Sequence, residues 1–391
     1  MTRARDLGIR IGHGQPGPNN AITDVAGVKV GHTTLISGHG RLEVGRGPIR
    51  TGVTVIVPHD GDVWRDPLFA GCFTLNGNGE MTGLEWMRES GFLGGVIGLT
   101  NTHSVGVVHD ALIAEAVAGT QPGALFWSLP VVAETWDGQL NDINGFHVRP
   151  EHVRAALAAA ANGPVVEGNV GGGTGMICHE FKGGIGSASR VLPAEAGGWT
   201  VGALVQANYG QRDQLRVDGV PVGEAIGFDA VPSPWSPARS TPASPSTPAP
   251  GSPRAGSDGG SSIGVVATDA PLLPHQCERL AKRAALGVSR AGGYGSHTSG
   301  DIFVAFATGN RDLATAARET AEQTLTAGAL LVVDGAISPL MLATVEAVEE
   351  SIVNALVAAE TMVGRDEITA HALPHDRLVE VMDRYGRGAD R

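Results

Sequence analysis

A serine that opens a buried strand directly after a flexible run has a carbonyl of its own chain within reach. Residues 258–272 read DGGSSIGVVATDAPL. The Ser261 hydroxyl can attack the carbonyl of Gly260, and the glycines tolerate the backbone conformation such an attack needs. Transfer of the acyl group to oxygen, followed by hydrolysis, would cut the chain and leave Ser261 as a new amino terminus. That residue would carry nucleophile and base together. An α-amine has an unperturbed pKa of about 8, so it can take the hydroxyl proton without a histidine. On pattern alone, however, a serine after a Gly/Ser-rich run is commonplace, and Ser262 stands beside it.

The elements on either side must hold this junction. Residues 231–260 contain eight prolines among serine, threonine and alanine. Such a composition buries too little apolar surface to offset its ordering entropy, so it reads as an extended, solvated linker. Apolar runs at 52–59, 124–135 and 199–208 precede the linker and read as buried strands; 261–269 and 301–309 read the same way after it. Pro150 and Pro274 sit where a first-turn proline is tolerated, each ahead of a helical pattern. A last long helix is expected over about 339–363, with Val345, Val348, Ile352, Ala355, Leu356 and Ala359 as its apolar stripe. Strands and helices occur on both sides, so the fold class is α/β. Neither part looks independent: the strand at 261–269 is expected to complete a sheet built mostly from the first part.

Composition narrows the function. The chain has 391 residues, 42% of them hydrophobic, enough for a sizeable core. Its net charge of −12 argues against nucleic-acid or membrane-surface partners and suits a substrate with a free amine. Cys72, Cys178 and Cys277 are scattered and form no CxxC pair, which suggests free thiols in a reducing cytoplasm and no zinc site. No signal peptide or spanning helix is expected.

Two other patterns offer rival chemistry. Residues 167–190, EGNVGGGTGMICHEFKGGIGSASR, loosely resemble a dinucleotide fingerprint but lack a clean strand before and a long helix after. Close backbone packing beside a cavity explains these glycines better. The histidines form no HExxH motif, and Pro374 separates His371 from His375. GSSIG around Ser262 leads into a strand and lacks the strand-to-helix turn of a nucleophile elbow. The rivals are thus a ligand-binding protein that is never cut and a nucleotide-dependent oxidoreductase.

Longer motifs point one way. LNGNGEMTG (75–83), LTNTHSVGVV (99–108), LNDINGFHV (140–148), GNVGGGTGM (168–176), FKGGIGSASR (181–190), ALVQANYG (203–210) and VVATDAPL (265–272) together resemble the DmpA/BapA family of L-aminopeptidase/D-esterases and β-peptidyl aminopeptidases. The similarity covers nearly the whole chain except the proline-rich insert. It implies a four-layer αββα sandwich of the DmpA/ornithine-acetyltransferase type. It also implies autocleavage into an α chain (1–260) and a β chain (261–391) forming one composite domain, and a homo-oligomer of αβ units. No metal or other cofactor is implied. The substrate would be a small peptide, amide or ester; a related possibility is an ω-amino amide or nylon-oligomer type of amidase.

The resemblance also assigns residues. Five residues separate the family's nucleophile from the ATD of VVATDAPL, which selects Ser261 and places cleavage after Gly260. The family's SG[DE] motif is Ser299-Gly300-Asp301 here; Asp301 is expected to orient Ser299, and Ser299 to hydrogen-bond Ser261. Asn208 matches the family's oxyanion donor. Glu134 matches the carboxylate that holds the substrate's free amine. Trp136 departs from the pattern, standing where some members carry a tyrosine. An indole donates a hydrogen bond but cannot shuttle a proton, so Trp136 is expected to reshape the substrate pocket.

Overall fold

The computed structural model describes residues 1–123, 126–235, 259–313 and 326–388. In chain order the strands are β1 (Lys29–Ser37), β2 (Ile49–Val57), β3 (Leu68–Gly77), β4 (Phe92–Leu93), β5 (Ile97–Asn101), β6 (Val131–Thr135) and β7 (Ile177–Cys178). They continue with β8 (Phe181–Lys182), β9 (Gly184–Val191), β10 (Thr200–Asn208), β11 (Gly259–Thr268), β12 (Thr298–Ala307), β13 (Met362–Val363) and β14 (Thr369–Ala370). The helices are α1 (Leu84–Ser90), α2 (Val105–Ala118), α3 (Pro150–Ala158), α4 (Val222–Ala225), α5 (Pro274–Arg290), α6 (Ser338–Val357) and α7 (His375–Arg384).

Two sheets dominate: β1-β2-β5-β6 and β4-β3-β12-β11-β10-β9. Alternation along each strand divides its side chains between two cores. On β12, Phe303, Ala305 and Ala307 face α5 and α6, while Ile302, Val304 and Phe306 face the smaller sheet. On β2, Ile56 joins that intersheet core, and Val53 and Val55 pack with α2 and α3. Three cores separate four layers, helix, sheet, sheet, helix, and this is the expected αββα sandwich.

β11 lies antiparallel to β10 and parallel to β12, and β12 is antiparallel to β3. The strands after the proline-rich run are therefore inserted between strands from before it, as the sequence suggested. Close packing accounts for the glycines of 167–190. A Cβ at Gly186 would collide with the Ser351 carbonyl of α6, and one at Gly172 with Gln206 of β10.

Three boundaries differ from expectation. Only Val131–Thr135 of the 124–135 run is strand; 126–130 has no regular structure, and 124 and 125 lie outside the described residues. The last long helix stops at Val357, before Ala359, and Met362–Val363 starts a short strand pair. Of the 231–260 linker, residues 236–258 lie outside the described residues. Residues 231–235, however, belong to the packed body: Val231 joins the core through its apolar side chain, and Ser233 is buried.

A buried charged seam ties α6 to β9 and the amino terminus. Arg190 Nε lies 3.1 Å from Glu346 and its Nη2 2.7 Å from Glu350. Arg5 reaches Glu350 at 2.7 Å, and Arg3 reaches Glu167 at 2.7 Å. Burial alone would push the Glu350 carboxyl up. Arg190 and Arg5 outweigh it and hold the group below its ordinary 4.5.

Candidate active site

The mouth of the sandwich, where β6, β10, β11 and β12 begin or end, encloses a cavity of about 500 Å³. Ser261, Asn208, Glu134 and Trp136 all line it. Register explains the grouping. Asn208, the last residue of β10, pairs across the ladder with Ser261 near the start of β11. Both share the parity of the residues facing the smaller sheet, whose strand β6 carries Glu134.

Ser261 is buried, and its Oγ donates to the Gly260 carbonyl at 2.7 Å. The hydroxyl thus lies against the peptide bond it was expected to attack. Asn208 is held on both sides of its amide: Ile177 N–H donates to Oδ1 at 2.8 Å, and Nδ2 donates to the Trp136 carbonyl at 3.0 Å. Nδ2 has two hydrogens, so the second is left for a bound oxygen. The peptide that orients Asn208 is itself fixed. The buried Lys182 Nζ donates to the Met176 carbonyl at 2.7 Å, and also to Gly183 and Gly173. Burial pushes this ammonium down to about 7.

Glu134 accepts from Glu80 N–H at 3.0 Å and from the Thr102 hydroxyl. No lysine or arginine pairs with it among the described residues. Burial pushes its pKa up, and the two hydrogen bonds only partly offset this. A carboxylate so placed gains from an incoming cation.

Ser299 and Asp301 sit differently from expectation. They occupy alternate positions on β12 with the parity of Phe303, so they face the helix layer, away from the Ser261 hydroxyl. Asp301 Oδ1 accepts from Ser262 Oγ at 2.6 Å, and Ser262 is the neighbour the sequence reading passed over. Burial raises the Asp301 pKa, while the Ser262 and Ser299 hydroxyls hold it down. Among the described residues no hydrogen bond joins Ser299 to Ser261. Ser299 instead pairs with Gly260 in the parallel ladder, beside the Gly260–Ser261 peptide.

Trp235 is another residue missed. It lies in the segment expected to be linker, yet it lines the cavity and its ring runs nearly parallel to that of Trp136. A lone tryptophan in a Pro/Ser run was the available signal, because such runs rarely carry large apolar groups. A separate apolar cavity of about 290 Å³, walled by Trp64, Trp86 and Trp127, contains none of the residues above. Among the described residues, no cluster of three His, Cys, Asp or Glu side chains has metal-binding geometry, and no helix is long and apolar enough to cross a membrane.

Comparison with known proteins decides the family. Residues 20–370 match the model of peptidase family S58. The chain belongs to that family. It is 50% identical over 386 residues to the β-peptidyl aminopeptidase BapA of Sphingosinicella microcystinivorans, covering 98% of this chain and 93% of that protein. The solved β-aminopeptidase of a Burkholderia species superposes with a TM-score of 0.87 at 53% identity, covering 98% of this chain and 99% of that one. The L-aminopeptidase D-Ala-esterase/amidase of Ochrobactrum anthropi, described as a variant of the Ntn hydrolase fold, gives a TM-score of 0.84 at 44% identity over the full length of both chains. This S58 chain is an N-terminal-nucleophile aminopeptidase of the DmpA/BapA type.

Proposed function

We propose that the chain cuts itself between Gly260 and Ser261 and then uses Ser261 to release amino-terminal residues from small peptides, amides or esters. The observation that carries this reading is that Ser261 and Glu134, which has no lysine or arginine partner among the described residues, open into one cavity, with the Asn208 amide between strands at the same mouth. In processing, Ser261 Oγ attacks the Gly260 carbonyl carbon and the Ser261 nitrogen leaves, giving an ester. Water then hydrolyses the ester to a Gly260 carboxylate and a Ser261 α-amine.

In turnover the α-amine takes the hydroxyl proton as Oγ attacks the substrate carbonyl. The free Nδ2 hydrogen of Asn208 meets the developing oxyanion; losing one such donor typically costs ~3–4 kcal/mol of barrier. The leaving amine departs with a proton, and water releases the acyl group from Oγ. Glu134 holds the substrate's ammonium, which restricts attack to the first residue. Ser299, beside the Gly260–Ser261 peptide, becomes a neighbour of the new α-amine and steadies it. The substrates include β-peptidyl bonds, as the names of the BapA relatives suggest.

Freshly purified protein is expected to mature into two fragments, the smaller beginning at Ser261, with Ser261→Ala remaining whole and inactive. Amino-terminal sequencing that begins at Ser262, or full activity in an uncut chain, overturns the proposal.

A further inference from the structure

Residues 231–235 are attached to the substrate cavity by specific bonds. The Ser233 hydroxyl donates to Glu180 Oε2, and Trp235 N–H donates to Ser233 Oγ at 3.2 Å. Gln139 Nε2 donates to the Pro234 carbonyl at 3.0 Å. Glu180 and Gln139 are themselves cavity walls. This latch presents the Trp235 ring alongside Trp136, with ring centroids 6.4 Å apart and planes 13° from parallel. Trp136 lies against Gly138, where a Cβ would come within 2.6 Å of the indole, so its ring is backed by main chain. It is nonetheless 42% exposed.

We infer that Trp136 and Trp235 form an aromatic wall that selects substrates bearing a planar aromatic group. This rests on the aminopeptidase reading above and deepens it by naming a substrate class. The two near-parallel indoles put aromatic ring faces into a cavity whose charged side chains are Glu80, Glu134 and Glu180. A flat ring can stack on such a surface in the offset manner aromatic pairs favour. An aliphatic side chain of equal area lacks that geometry. The ring can belong to the first residue's side chain or to the leaving amine, and either would use the same wall.

The test compares kcat/KM for three substrates of the processed enzyme: alaninamide, phenylalaninamide and alanine anilide. In Trp235→Ala the preference for phenylalaninamide over alaninamide, or for the anilide over alaninamide, is expected to fall about tenfold; a factor of ten is 1.4 kcal/mol. Whichever ratio falls identifies the end of the substrate on the wall. Trp235→Phe keeps a ring and is expected to retain most of the preference, which separates loss of stacking from loss of the latch. If both ratios are the same in wild type and Trp235→Ala, the wall does not select substrates. If wild-type enzyme leaves alaninamide intact and no free-amine substrate is cut, the aminopeptidase reading itself has failed.

Discussion

Glu350 and Glu134 are both buried glutamates, yet burial has opposite outcomes for them. Glu350 lies in the seam between α6 and β9, where Arg190 and Arg5 neutralise it and hold its pKa down. Glu134 lies at the cavity, where it receives one main-chain N–H and one hydroxyl but, among the described residues, no lysine or arginine, and burial raises its pKa. Arg190 and Arg5 satisfy Glu346 and Glu350 and fasten the amino terminus to the last long helix, whereas burial outweighs Arg3 at Glu167 and pushes that carboxyl up to about 7. The cavity's carboxylate is left for something that arrives. A buried charge with its partner supplied by the chain is a structural device; one without a partner marks a binding site.

The largest effect that sharpens this contrast is expected in the seam. Arg190→Met removes the cation shared by Glu346 and Glu350, and breaking a buried pair in this way typically costs about 3–5 kcal/mol. Urea unfolding in the uncut Ser261→Ala background checks it; a loss within about 0.5 kcal/mol, the size of an ordinary surface change, would erase the distinction between the two regions. In the cavity, Glu134→Gln should leave the fold intact and raise KM for free-amine substrates. Hydrogen bonds to charged groups contribute roughly 1.5–3 kcal/mol, or about 10- to 100-fold. kcat should change little, because the pairing is lost in ground and transition states alike. N-acetylated substrates should be poor for wild type; equal rates on acetylated and free forms remove Glu134 from its role.

A smaller effect is expected from Ser299→Ala. Steadying the α-amine through one hydroxyl accounts for about tenfold in rate, ~1.4 kcal/mol. Fragment formation must be verified before the rate is read, and full activity in the cut variant places the amine beyond any help from Ser299. The smallest effect is the pH dependence of stability. Glu350, held below 4.5, stabilises the fold above that pH, and its contribution is lost as the pH falls through its folded value. Glu134, raised above 4.5, binds its proton more tightly when folded, so the empty enzyme loses stability as the pH rises from 4.5 through the folded value. Thermal melts of Glu134→Gln should show a shallower decline, the remainder coming from Asp137, Glu167 and Glu349, whose carboxyls burial pushes up to about 7. A variant that tracks wild type over the same range would show that Glu134 is not strained by its burial.

The α/β class was legible because strand periodicity and first-turn prolines are local signals, while the four-layer sandwich came with the family resemblance. The sequence also singled out Ser261, Asn208 and Glu134, which line one cavity, because the motifs around them are long. The facing of Ser299 and Asp301 was harder to read. Side chains alternate along β12, so a correct pairing of strands still places Ser299 on the helix side, where Ser262 as well as Ser299 acts on the Asp301 carboxylate. Lys182 was invisible for another reason. A buried lysine among glycines carries no mark of the peptide it will hold, and its link to Asn208 passes through the Met176–Ile177 main chain. Trp235 was hidden by composition, since prolines and serines around it resembled a solvated tether.

The placement of β11 and β12 between β3 and β10 has a consequence for assembly. In the uncut chain a covalent tether delivers the later strands to their slots as an intramolecular event. Once Gly260–Ser261 is cut, that tether exists no longer. The pieces would hold together by interleaving alone, and after complete denaturation they would have to find each other by diffusion at whatever dilution prevails. Folding would then be an event the molecule performs once, as a precursor. A mature enzyme that has been fully unfolded is expected to regain activity poorly and with a steep dependence on protein concentration, while uncut Ser261→Ala returns to its native form at any dilution.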